Sequence, residues 1–143
     1  MKITTAWLKK RNACKDGVIW FNEKIGKPID HMTLLKLGMR AKQYDYANWF
    51  ICQIMKRKQR IQYAIYSVEQ VIDIFEKYYP KDDRPRKAIE AAKAVLKKDS
   101  KKNRAAAEAA ADAAYAAADA ADAAMKKKIL EYGIKLLKSG ATE

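Results

Sequence analysis

The sequence predicts an all-α protein: a compact helical bundle of about six or seven helices with a long alanine-rich helix near its centre. Three observations lead there. Apolar residues recur at spacings of three and four almost everywhere, and no segment alternates with period two over a useful length. Candidate caps and a helix-initiating proline separate the periodic stretches. Residues 105–124, AAAEAAADAAYAAADAADAA, consist mostly of alanine, the strongest helix former.

Thr4 or Thr5 caps a short first helix, Ala6 to Asn12, with Trp7 and Leu8 facing inward. Asp16 caps a second, Gly17 to Lys24, anchored by Val18, Trp20 and Phe21 and closed by the Gly26, Lys27, Pro28 break. After Asp30 comes MTLLKLG, ended by Gly38. From Tyr44 a stripe of Ala47, Trp49, Phe50, Ile54 and Met55 forms, followed by the cluster KRKQR at 56–60. Ile61, Ile65, Val68, Ile72, Phe75 and Tyr79 then mark the clearest amphipathic helix, widened by Ala64 and Val71 and stopped by Pro80. Asp82 or Asp83 caps the next helix, with Pro85 in its first turn, and Ser100 caps the one that carries the alanine run. That helix continues through Met125 to Leu137 or breaks near Lys126 to Lys128, and Gly133 and Gly140 mark a fraying end.

On a helix, Glu108, Asp112, Tyr115, Asp119 and Asp122 fall on one strip, extended by Lys101, Arg104 and Lys126. The rest of the circumference is methyl groups, so neighbours can approach closely while the strip stays wet. The acidic strip is read as a solvated face rather than a cation or partner site.

A chain of 143 residues has the size of one domain, here 1–143, with a basic half at 1–60 and a bundle half at 61–143. The net charge of +13 is uneven: residues 1–60 carry 14 Lys and Arg against 4 acids, residues 61–143 carry 16 against 13. Such an excess points to an anionic partner, either nucleic acid or an acidic protein surface. No run of about 18 apolar residues exists, so no membrane span is expected. The N-terminal stretch lacks a secretory core, and Cys14 and Cys52 are too few for a disulfide framework. A cytoplasmic location with reduced thiols is the expectation.

The stretch DDRPRKAIEAAKAVLKKDS, followed by NRAAAEAAADAAYAAADAADAAMKKKILEYGIKLL, resembles the alanine-rich immunity proteins of bacteria and their phages. The N-terminal half is similar to a module that often accompanies them, through ACKDGVIWF (13–21) and NWFICQIM (48–55). The resemblance implies an all-helical interaction protein of the immunity or counter-defence kind, anti-CRISPR-like or immunity-like. Such a protein inhibits a toxin or bacterial defence system by stoichiometric binding. The resemblance brings no catalytic residues and no cofactor. It also implies a phage or mobile-element gene and action in the host cytoplasm. The immunity proteins easiest to rationalise are acidic and match basic nucleases, so a chain at +13 disfavours mimicry of nucleic acid.

No catalytic constellation emerges from the residues. His31 is the only histidine and sits beside Asp30 at a helix start, where a capping role is the plain reading. Cys14 and Cys52 have no supporting motif as nucleophiles, and no phosphate-binding glycine loop, HExxH motif or other metal site is present. Binding is the stronger class. Lys9, Lys10, Arg11, Lys36, Arg40, Lys42, Lys56, Arg57, Lys58 and Arg60 are the candidate contact residues. They would meet a protein target with an acidic surface or a nucleoprotein complex. The alternative is non-specific nucleic-acid binding, with phosphates on these cations and bases stacked on Tyr44, Tyr46, Trp49 or Tyr63. A membrane partner is not expected, because the apolar positions are needed for the core. The oligomeric state stays open.

Overall fold

The computed structural model describes residues 1–98, 100–105 and 121–140, and helices dominate them. The all-α expectation therefore holds. The chain groups into two compact units, Met1–Ile54 and Met55–Glu143.

The first unit carries four short helices: α1 (Thr5–Lys10), α2 (Lys15–Lys24), α3 (His31–Arg40) and α4 (Tyr44–Ile54). It also holds a bridge too brief to leave a period-two signal. β1 (Lys2–Ile3) pairs antiparallel with β2 (Ile29–Asp30), Lys2 opposite Asp30 and Ile3 opposite Ile29. The pairing seats Ile3 in the core with no exposure and delivers Asp30 to the start of α3. There its carboxylate accepts from the amides of Met32 and Thr33. α1 packs on α2 and α3 on α4, burying Leu8, Val18, Phe21, Leu34, Leu35, Ala47, Phe50 and Ile51.

Two helix ends in this unit close without glycine. After α1, Asn12 takes a φ of 57°, and the amides of Asn12 and Ala13 donate to Lys9 and Leu8 carbonyls. After α3, Lys42 also has a φ of 57°, and the amides of Lys42 and Gln43 donate to Met39 and Gly38. This paired pattern satisfies the last carbonyls of each helix, and it places a lysine where glycine is favoured.

Thr4 caps α1 as expected, its hydroxyl accepting from the Trp7 amide at 3.1 Å. Two expectations are corrected. α2 is capped by Cys14, whose thiol accepts from the Gly17 amide at 3.3 Å, while Asp16 lies inside the first turn. Nor does α3 end at Gly38, which is buried inside the helix. Its packing against α4 outweighs the weak helix propensity of glycine.

The second unit is built on α5 (Arg57–Tyr78), which packs against both α6 (Arg84–Lys97) and α7 (Ala123–Ser139). Ile65, Val68 and Ile72 of α5 form one buried cluster with Ile89 and Ala92 of α6, flanked by Ile61, Ala64 and Leu96. Each fully buried aliphatic side chain of this kind contributes roughly 1.5–3 kcal/mol. The predicted stripe fails at its end, because Tyr79 is the C-terminal cap of α5 and 60 % exposed. α6 has Pro85 in its first turn, as expected. Asp83 stands at the cap position, but it is the Asp82 carboxylate that accepts from the Arg84 amide. Ser100 caps the helical residues 101–105 through the Asn103 amide.

The alanine-rich run with Glu108, Asp112, Tyr115 and Asp119 lies outside the described residues, apart from its ends. At the C-terminal end Asp122 is an extended residue whose carboxylate accepts from the Met125 amide, so α7 starts at Ala123. Lys126–Lys128 are therefore inside a helix, not at a break. Gly133 is buried within α7, and Gly140 is packed against Gln59, so neither marks fraying.

Candidate interaction surface

All ten candidate cations are exposed. Lys9, Lys10 and Arg11 close α1, where positive charge complements the carbonyl end of the helix. Lys36 and Arg40 stand one turn apart on α3, and Lys42 follows in the left-handed turn. These six belong to the first unit. Arg11 is held in place by its guanidinium lying 4.0 Å above the Trp7 ring, and Trp7 meets Phe50 edge-on at 5.7 Å. The first unit carries 10 Lys and Arg against 4 acids. Among the described residues, no ion pair engages any of those ten cations.

The other four, Lys56, Arg57, Lys58 and Arg60, open α5 in the second unit, and here the KRKQR cluster has an internal role. Gln59 is buried: its Oε1 accepts from the Lys56 amide at 2.9 Å and its Nε2 donates to the Leu136 carbonyl at 2.9 Å. Lys56 Nζ donates to the Gly140 carbonyl at 3.3 Å. The start of α5 thus satisfies carbonyls at the end of α7, and the opposed helix dipoles attract. Tyr66 stacks on Tyr132 at 3.9 Å further along the same antiparallel pair. A glutamine three residues after a helix cap was the available signal, hidden because a lysine holds the cap.

Elsewhere in the second unit, charges knit the helices together. Arg86 grips Glu76 with two bonds, 2.7 and 3.0 Å, and Lys93 meets Glu69 at 3.3 Å. The guanidinium holds the Glu76 carboxyl below its ordinary range, and Arg84 lowers that of Asp82 to about 2.

Two of the four aromatics considered for base stacking are engaged within the fold. Tyr63 is 3 % exposed, so the stacking assignment is corrected for it. Tyr46 faces Trp20 at 6.3 Å, and burial, aided by nearby Cys14, pushes its phenol up. His31 Nδ1 lies 3.2 Å from Asp30, the cap of its own helix. The Thr33 amide, with the neighbouring His31, holds that carboxyl below its usual range. The chemically versatile side chains near the start of the chain are thus engaged in local structure.

The chain matches the Imm-5 like putative immunity protein family over residues 51–132, more than half of its length. The chain belongs to that family. The immunity-family segment takes in DRPRKAIEAA (83–92) and the stacked Tyr66 and Tyr132, and it begins within a few residues of the boundary between the two compact units. ACKDGVIWF (13–21) lies outside it. Neither the curated proteins nor the solved structures compared with the chain give a match. No helix among the described residues is long and apolar enough to cross a membrane.

Proposed function

We propose that this immunity-family protein is a non-enzymatic inhibitor that binds a protein of a toxin or bacterial defence system stoichiometrically. On this reading it is encoded by a phage or mobile element and acts in the host cytoplasm. The family match over 51–132 carries the proposal. The position of the contact surface rests on charge: the uncompensated cations Lys9, Lys10, Arg11, Lys36, Arg40 and Lys42 suit an acidic target. Arg57, Lys58 and Arg60 of the second unit are exposed as well and are candidate contacts in their own right.

Nucleic-acid binding is the weaker reading, because Lys56 and Gln59 are used inside the fold and Tyr63 is buried. Affinity capture of the tagged protein from a lysate of its host, before and after nuclease treatment, tests the proposal. A partner retained at a fixed stoichiometry after nuclease is expected. Loss of every partner with the nucleic acid would transfer the function to phosphate binding, whose affinity should fall steeply with salt.

A further inference from the structure

The first unit contains a half-open cavity lined from all four of its helices. Trp20, Phe21, Tyr46, Trp49 and Phe50 give it an aromatic wall. Trp20 and Tyr46 stand with ring centroids 6.3 Å apart and planes tilted by 50°, so they form two sides of a notch. Gly17 leaves the space for this arrangement: a Cβ there would meet the Tyr46 ring at 3.6 Å and the Cys14 thiol at 3.1 Å. Trp20, Tyr46 and Trp49 are each only half-buried, so ring surface is left open to a ligand.

The surroundings of the notch are acidic although the unit as a whole is basic. Asp16 stands four residues before Trp20 on α2, and Asp45 four residues before Trp49 on α4. That spacing puts each carboxylate beside a lining indole. Burial is the main influence raising the Tyr46 pKa, and the charges that add to it are those of Cys14, Asp16 and Asp45, all acidic groups. Lys15 lies on the far side of α2 from Gly17 and Trp20, and Lys36 and Arg40 on the far side of α3 from Leu34, Leu35 and Gly38. Lys24 shares the side of Trp20, but it closes α2 about 12 Å along the axis from Asp16. That exceeds the screening length of roughly 8 Å at physiological salt.

An aromatic notch beside carboxylates suits a cation held on the ring faces. A centre about 5 Å from both the Trp20 and the Tyr46 centroids meets the two rings at once. The lining is almost wholly apolar, so a primary ammonium would lose water from its three N–H donors without replacement. A quaternary ammonium has no such donors and presents methyl groups instead. The cavity volume is about 60 Å³, and one water-sized atom needs roughly 10–15 Å³ of it, so four to six such atoms fit. A nitrogen with three methyl groups and one methylene has five. We infer that this cavity binds the trimethylammonium group of a small molecule, held on Trp20, Tyr46 and Trp49 with Asp16 and Asp45 as counter-charges. The open side gives the remainder of the molecule a way out. The site stands apart from the proposed target-binding cations, since Lys36 and Arg40 face away from it, and either role can exist without the other.

The test titrates the full chain with choline and follows the indole N–H resonances of Trp20 and Trp49, with Trp7, outside the lining, as the internal reference. Saturable shifts of Trp20 and Trp49 are expected, with a Kd on the order of a millimolar for so small a ligand. 3,3-Dimethyl-1-butanol has the same shape with carbon in place of the charged nitrogen, and it should bind at least about fivefold weaker. Ethanolamine, whose ammonium needs hydrogen bonds, should bind weaker by on the order of tenfold. A capped peptide with trimethyl-lysine between glycines should bind no tighter than choline. Trp20→Leu, read at Trp49, should weaken choline at least about fivefold. Asp16→Asn with Asp45→Asn should weaken choline about threefold and leave dimethylbutanol unchanged.

The absence of a saturable shift with choline would overturn the inference. So would equal or tighter binding of dimethylbutanol, which would mark an ordinary apolar cavity, or of ethanolamine. Tighter binding of the trimethyl-lysine peptide would move the group onto a protein partner and overturn the assignment to a small molecule. Unchanged choline affinity in the double Asn variant would remove the counter-charges and the inference with them. If Trp20→Leu fails to fold, the ligand series on the unaltered protein and the double Asn variant decide.

Discussion

The two units use charge in opposite ways. From Met55 on, several cations are tied to carboxylates or helix ends: Arg86 to Glu76, Lys93 to Glu69, Lys87 to Asp83 and Lys56 to the Gly140 carbonyl. Before that point ten Lys and Arg have no ion-pair partner among the described residues, and one of the four acids, Asp30, caps a helix. Charge that holds helices together is structural and difficult to give to a partner. Charge left without a counter-ion raises self-repulsion and is available for association. The contrast supports the proposal that the family segment serves as scaffold and the basic first unit as contact surface.

The core substitutions are the strongest way to break the comparison. Leu130 and Leu35 are each 1 % exposed, one in each unit. Leu130→Ala and Leu35→Ala should each cost about 2–5 kcal/mol. Hydrogen exchange should show α5–α7 opening in the first variant and α3–α4 in the second. The clamp in the second unit comes next. Gln59→Ala leaves the Leu136 carbonyl and the Lys56 amide without their partner, at roughly 1–3 kcal/mol in chemical denaturation. A β-carbon at Gly140 would collide with the Gln59 side chain. Gly140→Ala should therefore be damaging in the native background and much less so beside Gln59→Ala, a coupling that a double-mutant cycle reads directly.

A smaller effect, of opposite sign, belongs to the first unit. Lys42 sits at a φ of 57°, so Lys42→Gly should stabilise by up to about 1 kcal/mol and raise Tm. The pH dependence sharpens the comparison further. Asp82 and Glu76 in the second unit, and Asp30 in the first, have carboxyls held below their ordinary values. Such groups stabilise the fold above their unfolded pKa, and that stabilisation is lost as pH falls through the folded value. For Asp82 the loss runs down to about 2. Asp82→Asn should lower stability modestly at neutral pH and flatten the acid limb, so that variant and native protein converge as the pH falls to about 2.

How much of this was legible depends on range. α5 was readable because Ile61, Ile65, Val68 and Ile72 recur at helical spacing and are packed or buried as that spacing requires. Thr4 and Ser100 were readable as caps because capping is local chemistry, whereas the cap of α3 is Asp30 and not the neighbouring His31. The Gln59 contact with Leu136 was not, because it joins residues 77 apart and nothing in the local pattern announces it. Cys14 does not stand out as a cap because Asp16 is the commoner residue for that role, and Gly38 does not stand out as a helix-interior residue because glycine usually signals a helix end. The six cations of the first unit were legible as exposed charge, whereas only the fold shows that the lysine and glutamine of KRKQR serve the helix ends.

The central claim is that the first unit carries the contact surface and the second the scaffold. It is tested most directly by charge reversal at exposed cations on each side. Lys36→Glu with Arg40→Glu changes the first unit, and Lys77→Glu with Lys81→Glu changes the second, with stability expected within about 0.5 kcal/mol in both cases. The dissociation constant of each variant for the nuclease-resistant captured partner is then compared with that of the unaltered protein. At least a tenfold loss for the first pair, and less than about twofold for the second, is the predicted result. Equal losses for both pairs, or a loss confined to Lys77 and Lys81, would contradict the account.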